Sequence, residues 1–153
     1  MSCVAAREVL TDSKIKVEEN GRVAIFINSA RSRFHRTRVD GGIVKNKVGA
    51  DYVVTKEQVG SVVVELKGVD IEHAVLQIGE TMLLLKACMS PSKPKSTGMP
   101  AAGLIICSKY PKADTAYQKK VKAFVAQHKA PIHCVSGRGE FEIERVLRFD
   151  GPR

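Results

Sequence analysis

The sequence predicts an α/β protein: a mixed sheet with an N-terminal antiparallel meander, flanked by two main helices. Three observations lead there. Hydrophobic residues make up 44% of the 153 residues while aromatics make up 5% and Trp is absent, so the core must be built from Val, Ile, Leu and Ala. Between residues 14 and 67 short apolar runs alternate with turn signals, the spacing of paired strands. From Asp70 the apolar period turns helical, and the remaining chain alternates helix and strand, which a layered α/β arrangement accommodates. The length fits one domain, residues 1–153, with no internal repeat.

The elements follow in order. "MSCVAAREVLTD" reads as a short helix ending near Thr11 and Asp12. "KIKVEENGRVAIFIN" reads as two strands around Asn20-Gly21, the strongest hairpin signal in the chain. A strand is expected over 33–40 and another over 42–45, with Asp40 in "VDGG" as a turn residue. "ADYVVTKE" and "SVVVELK" are two strands joined by a turn at Gln58-Val59-Gly60. Ile71, Ala74, Val75, Ile78, Met82 and Leu85 then mark one face of a helix with Asp70 as N-cap. Gly79 weakens that helix by about 1 kcal/mol relative to Ala. Residues 90–100, with three prolines and a glycine, read as a mobile cationic loop. "AAGLIICSKYP" is a buried strand, and 113–129 a second helix with Tyr117, Val121, Phe124 and Val125 inward and Lys119, Lys120 and Lys122 outward. "PIHCVSG" and "EFEIERVL" close the chain as two strands across the turn at 137–139.

One pair of strands carries candidate chemistry. Asp51 and Glu65 are equidistant from residue 58, so a simple hairpin sets the two carboxylates side by side at one end of the sheet. Two carboxylates that close repel, and a hard divalent cation held by oxygen ligands relieves the repulsion. Lys67 follows Glu65 by two positions and so shares its face of the strand. A metal-activated water beside a lysine is suited to phosphodiester hydrolysis.

Asp51 followed by Glu65-Leu66-Lys67 resembles the motif of the PD-(D/E)xK nuclease superfamily. "VVVELKGVDIEHAVLQI" is similar to the motif strand and following helix of its small members, and "VDGGIVKNKVGADYVV" to the segment before them. The likeness covers about residues 22–145 by element order and is specific over about 38–80. It implies a restriction-endonuclease-like fold and a nuclease using Mg²⁺ or Mn²⁺. Asp51 and Glu65 would be metal ligands with the carbonyl of Leu66, Lys67 the catalytic lysine, and Gln77 a helix residue facing the site. The chain departs from the pattern at Ala50, where the superfamily's name implies proline, and at Thr81, where an aromatic often stands. A further upstream acid would be Glu8, with Glu18 and Glu19 behind it.

The formal net charge is +9, which favours polyanionic partners, nucleic acid first and an anionic membrane second; for the nuclease, DNA is expected ahead of RNA. Arg31, Arg33, Arg36 and Arg38, around Phe34 and His35, form the densest basic run; with Lys45 they are the expected phosphate contacts, unless they guard a sheet edge against aggregation. His73 reads as a solvated helix residue. The four cysteines, Cys3, Cys88, Cys107 and Cys134, lack the spacing of a zinc or redox motif. Cys107 and Cys134 read as buried thiols, which with no signal peptide predicts a cytoplasmic protein. No run is long enough to span a bilayer. A homodimer and a subunit of a larger assembly both stay open. So do two other functions: an inactive nucleic-acid-binding or accessory subunit on the same fold, and a protein-interaction or inhibitor module.

Overall fold

The computed structural model describes residues 7–19, 21–39, 50–66, 71–89, 99–107, 115–137 and 139–152. The chain forms a mixed α/β structure of nine strands and three helices among these residues. Six strands make the larger sheet, in the order β1 (Arg7–Leu10), β4 (Phe34–Arg38), β5 (Tyr52–Lys56), β6 (Gly60–Leu66), β7 (Ala101–Cys107) and β8 (Ile132–Ser136). Each of the first four is antiparallel to its neighbour; β6, β7 and β8 run parallel. Helix α1 (Ile71–Met89) connects β6 to β7, and α2 (Thr115–His128) connects β7 to β8. Two successive parallel crossovers that step the same way along a sheet keep their helices on one face. Accordingly Val63, Ile105 and Cys107 share a core with Ile71, Ala74, Val75, Ile78 and Met82 of α1 and Phe124 of α2.

The other face is covered by a second sheet, in the order β2 (Lys14–Glu19), β3 (Arg22–Ile27) and β9 (Gly139–Phe141), with the short helix α3 (Ile143–Val146). Alternation drives this packing: Ile15 and Val17 are buried while Lys14, Lys16 and Glu18 are exposed. With Ala24, Phe26, Phe141, Ile143 and Val146 they meet Val54, Val62, Val64, Leu104 and Ile106 of the larger sheet. β6 is therefore covered on both faces, and all seven of its residues are buried.

The expected hairpin at 14–27 forms, with Lys14 opposite Ile27 and Gly21 at φ 80°. So do the strands at 34–38, 52–56, 60–66 and 101–107, and both main helices. Four expectations differ. Residues 7–10 are a strand, not a helix: β1 pairs with β4, and tertiary pairing outweighs the local helical pattern. The stretch 14–66 is not one meander, because β2 and β3 leave for the second sheet and only β4–β5–β6 continue as one. "EFEIERVL" supplies only the end of β9 and then α3, and β9 pairs in parallel with β3 rather than forming a hairpin with β8. Finally, β4 is not an edge strand, because β1 covers it. The strand expected at 42–45, the Asp40 turn and most of the 90–100 loop lie outside the described residues.

Candidate functional site

The hairpin register is the one the spacing predicts. Tyr52 pairs with Val64, Val53 with Val63 and Lys56 with Gly60, and Gln58 turns the chain at φ 66°. The regular ladder stops at Tyr52, and Asp51 grips the opposing strand differently. Its backbone N–H donates to the carbonyl of Val64 (3.2 Å), and its Oδ2 accepts the N–H of Leu66 (2.8 Å). Asp51 thus brackets Glu65, bonded to the residue before it and to the residue after it. Its own carbonyl accepts the N–H of Val39 (3.0 Å), which ties it to the end of β4 as well.

Glu65 is 2% exposed. Its strand neighbours assign its face: Val63 belongs to the core under α1, and Ile105, its partner on β7, belongs there too. A carboxyl group in that position either has its charge compensated or is held neutral. Gln77 is half-buried on α1, the helix that covers this face. Lys67 and Lys45 lie outside the described residues.

Thr81 is a residue whose importance the sequence reading missed. It is 1% exposed, its Oγ1 accepts the N–H of Ala50 (2.8 Å), and its hydroxyl donates to the carbonyl of Gln77 (3.0 Å). One side chain therefore fastens the middle of α1 to the residue immediately before Asp51. The available signal was a threonine beside Met82 within the buried stripe of an amphipathic helix, where a hydroxyl requires a partner. The departure at Ala50 also acquires a reason: a proline there would lack the N–H that Thr81 accepts.

None of the three upstream acids joins Asp51 and Glu65. Glu8 pairs with Arg36 on β4, which pairs with Val54, whose side chain faces the second sheet. Glu8 consequently shares the opposite face from Glu65. Glu18 and Glu19 sit on β2 in the second sheet. No group of three or more His, Cys, Asp or Glu that could hold a metal ion occurs among the described residues.

The basic run is largely committed within the chain. Arg36 forms a bidentate ion pair with Glu8 (3.1 Å to each carboxylate oxygen from Nη2) and donates to the carbonyl of Lys16. Arg33 and His35 converge on Glu57, at 3.0 and 2.6 Å. Arg31 lies in an exposed loop at φ 52° and Arg38 is exposed at the end of β4. The exposed lysines of α2, Lys119, Lys120 and Lys122, stand on a helix with no acidic residue.

Further along the helix-covered face, the Sγ atoms of Cys107 and Cys134 approach to 3.3 Å as free thiols. Burial first, then the contact with Cys107, pushes the Cys134 thiol up to about 12; burial likewise pushes the Tyr117 phenol up to about 12. The Cys134 thiol therefore keeps its proton at neutral pH. No helix among the described residues is long and apolar enough to cross a membrane.

Compared with protein-family models, with curated proteins and with solved structures, the chain matches none.

Proposed function

We propose that this chain is a metal-dependent nuclease of restriction-endonuclease-like fold, hydrolysing phosphodiesters of nucleic acid, DNA ahead of RNA. The observation that carries the reading is the bracket that Asp51 forms around Glu65. It sets two acids on adjacent strands at the end of β6, directly before Lys67. The order β4–β5–β6, α1, β7, with an antiparallel meander, a covering helix and a parallel return strand, supports the same reading.

The donor chemistry fits a Mg²⁺ or Mn²⁺ ion. Mg²⁺ is ordinarily held by one or two carboxylates and keeps several waters. Asp51 and Glu65 would be the ligands, with the Leu66 carbonyl beside them. The Leu66 N–H occupies Oδ2 of Asp51, fixing the carboxylate and leaving Oδ1 for a cation. When bound, the ion would lower the pKa of a water and offset charge on phosphate. Lys67 would orient that water or the phosphate, and Gln77 would line the site from α1. Phosphate contacts would come from Arg31 and the α2 lysines, with Arg33 and Arg36 held by Glu57 and Glu8.

A second reading keeps the fold and the nucleic acid but not the chemistry. The 2% exposure of Glu65 favours it, because a carboxylate so enclosed does not meet a phosphodiester in this conformation. One experiment separates the two. Purified protein is incubated with DNA and RNA in Mn²⁺ and in Mg²⁺, alongside Glu65→Gln and Asp51→Asn. The nuclease reading expects cleavage by the wild type and a loss of about 10²–10³-fold or more in each variant. A protein that binds both polymers and cuts neither would reject it.

A further inference from the structure

We propose that the outer edge of β1 is a track for a nucleic-acid strand, held near its two ends by Arg7 and Arg31. The proposal rests on the nucleic-acid reading above, with or without cleavage, and adds a contact residue and a least length of polymer. Among the described arginines, Arg7 and Arg31 alone have side chains that form no hydrogen bond or ion pair. Arg33 and Arg36 are held by Glu57 and Glu8, Arg145 by Glu142 and Arg148 by Asp150. Arg22 and Arg38 also have interactions.

The fold brings the two uncommitted arginines to one edge. β1 is the end strand of the six-stranded sheet. Arg7 pairs with Thr37 and Leu10 with Phe34, and Arg31 lies in the loop just before Phe34. Six residues separate the level of Thr37 from Arg31, roughly 20 Å at the rise of a strand. A helical nucleic-acid strand advances about 3.4 Å per nucleotide, so a ligand that meets both arginines spans about six nucleotides. Arg7 also lies on the side of the candidate site. Arg7, Thr37, Val53 and Val63 form one row across β1, β4, β5 and β6, and Val63 shares its face with Glu65. Val9, on the same face of β1 as Arg7, is 48% exposed. Glu8 projects to the opposite face, where Arg36 neutralises it.

The loop supplies a second, independent observation. Asn28 is 3% exposed, and its Nδ2 donates to the carbonyls of Asp12 (2.9 Å) and Ser32 (2.8 Å). Its Oδ1 accepts the N–H of Ser32 (2.9 Å), and its carbonyl accepts the N–H of Arg31 (3.0 Å). This clasp holds Arg31 at φ 52°, a conformation that glycine adopts at less cost. An exposed side chain kept at such a position without an intramolecular contact points to an external ligand.

The test is anisotropy titration of the full chain in EDTA with fluorescein-labelled 12-mers of DNA and RNA, single- and double-stranded, over a range of salt. Arg7→Gln and Arg31→Gly should each reduce the slope of log K against log salt by about 0.7 on single strands and 0.9 on duplexes, one phosphate contact. At 0.1 M salt that is a rise in dissociation constant of about five- to eight-fold for each variant, and of about 25- to 60-fold for the double variant. A trinucleotide spans only one of the two arginines, so each single variant should change its affinity by no more than about two-fold. Arg148→Gln removes the same charge from an arginine paired with Asp150, and should leave slope and affinity unchanged. Urea unfolding checks folding, and Arg31→Gly should be at least as stable as the wild type. A wild type that binds none of the polymers rejects the nucleic-acid reading and the track together. A wild type that binds, with a slope that neither variant moves, overturns the track alone. Equal losses in Arg148→Gln or on the trinucleotide overturn it too, since net charge would then account for them. A less stable Arg31→Gly overturns the loop's part in it.

Discussion

Replacing Thr81 with valine tests how the Asp51 segment is held. Valine matches threonine in shape, so packing against α1 and the sheet is retained and only the hydroxyl is lost. Two hydrogen bonds disappear with it. The bond donated to the Gln77 carbonyl (3.0 Å) is lost at little expense, because that carbonyl still accepts within the helix ladder. The bond accepted from Ala50 N–H (2.8 Å) is different, because Ala50 is 0% and Thr81 1% exposed and water has no access to replace it. A buried N–H without a partner costs about 1–3 kcal/mol, and the extra buried methyl returns about 0.8 kcal/mol. The net loss should be about 0.2–2 kcal/mol, or up to roughly 8 °C in Tm for a chain of this length. Urea unfolding and calorimetry read it directly. Thr81→Ser is the control: it keeps the hydroxyl and drops the methyl, so it should lose about 0.8 kcal/mol. A valine variant more stable than the wild type would refute the account. On the proposed nuclease reading, Mn²⁺ binding at Asp51 would weaken in the valine variant and persist in the serine variant.

Other expectations follow from particular contacts. In Gly103→Ala the new Cβ would lie 2.9 Å from Ile78 Cγ2 and 3.0 Å from Ile132 Cγ1; urea unfolding should show a loss of about 1–3 kcal/mol, and a change within about 0.5 kcal/mol would mean that α1 moves freely over β7. The hydrogen bond from Lys56 (2.6 Å) holds the Glu144 carboxyl below its usual value of 4.5. Its contribution is therefore present above that pH and lost as pH falls through the folded value. Glu144→Gln should flatten the acid limb of the stability–pH curve while changing neutral stability by less than about 1 kcal/mol, since the carboxylate is 53% exposed. At the alkaline end the signs reverse: Cys134 keeps its proton in the fold up to about 12 against 9.0 ordinarily. Stability should then be intact below pH 9 on this account and decline through that interval. Cys134→Ala should reduce the decline, and an unchanged alkaline slope would contradict it.

The sequence by itself determined the elements whose pattern is local and whose burial is two-sided or strictly periodic. "SVVVEL" could be little else than an inner strand, the stripe from Ile71 to Met82 little else than a covering helix, and the spacing about residue 58 fixed the β5–β6 register. The position of Asp51 beside the Val64–Leu66 segment follows from that register. Tertiary structure decided what depends on contacts distant in sequence. Arg7–Leu10 became a strand because β4 offered it a free edge. The 14–27 hairpin left the main sheet because its apolar side, Ile15, Val17, Ala24 and Phe26, was needed to cover Val54, Val62 and Leu104. The arginines of β4 could be counted from the sequence, but their pairing with Glu8 and Glu57 could not, because those acids arrive from other strands and turns. The bracket around Glu65 and the Thr81 clasp behind it belong to the same class. A hydrogen bond spanning 31 residues leaves no periodic trace, because its two ends are brought together only by the packing of α1 on the sheet.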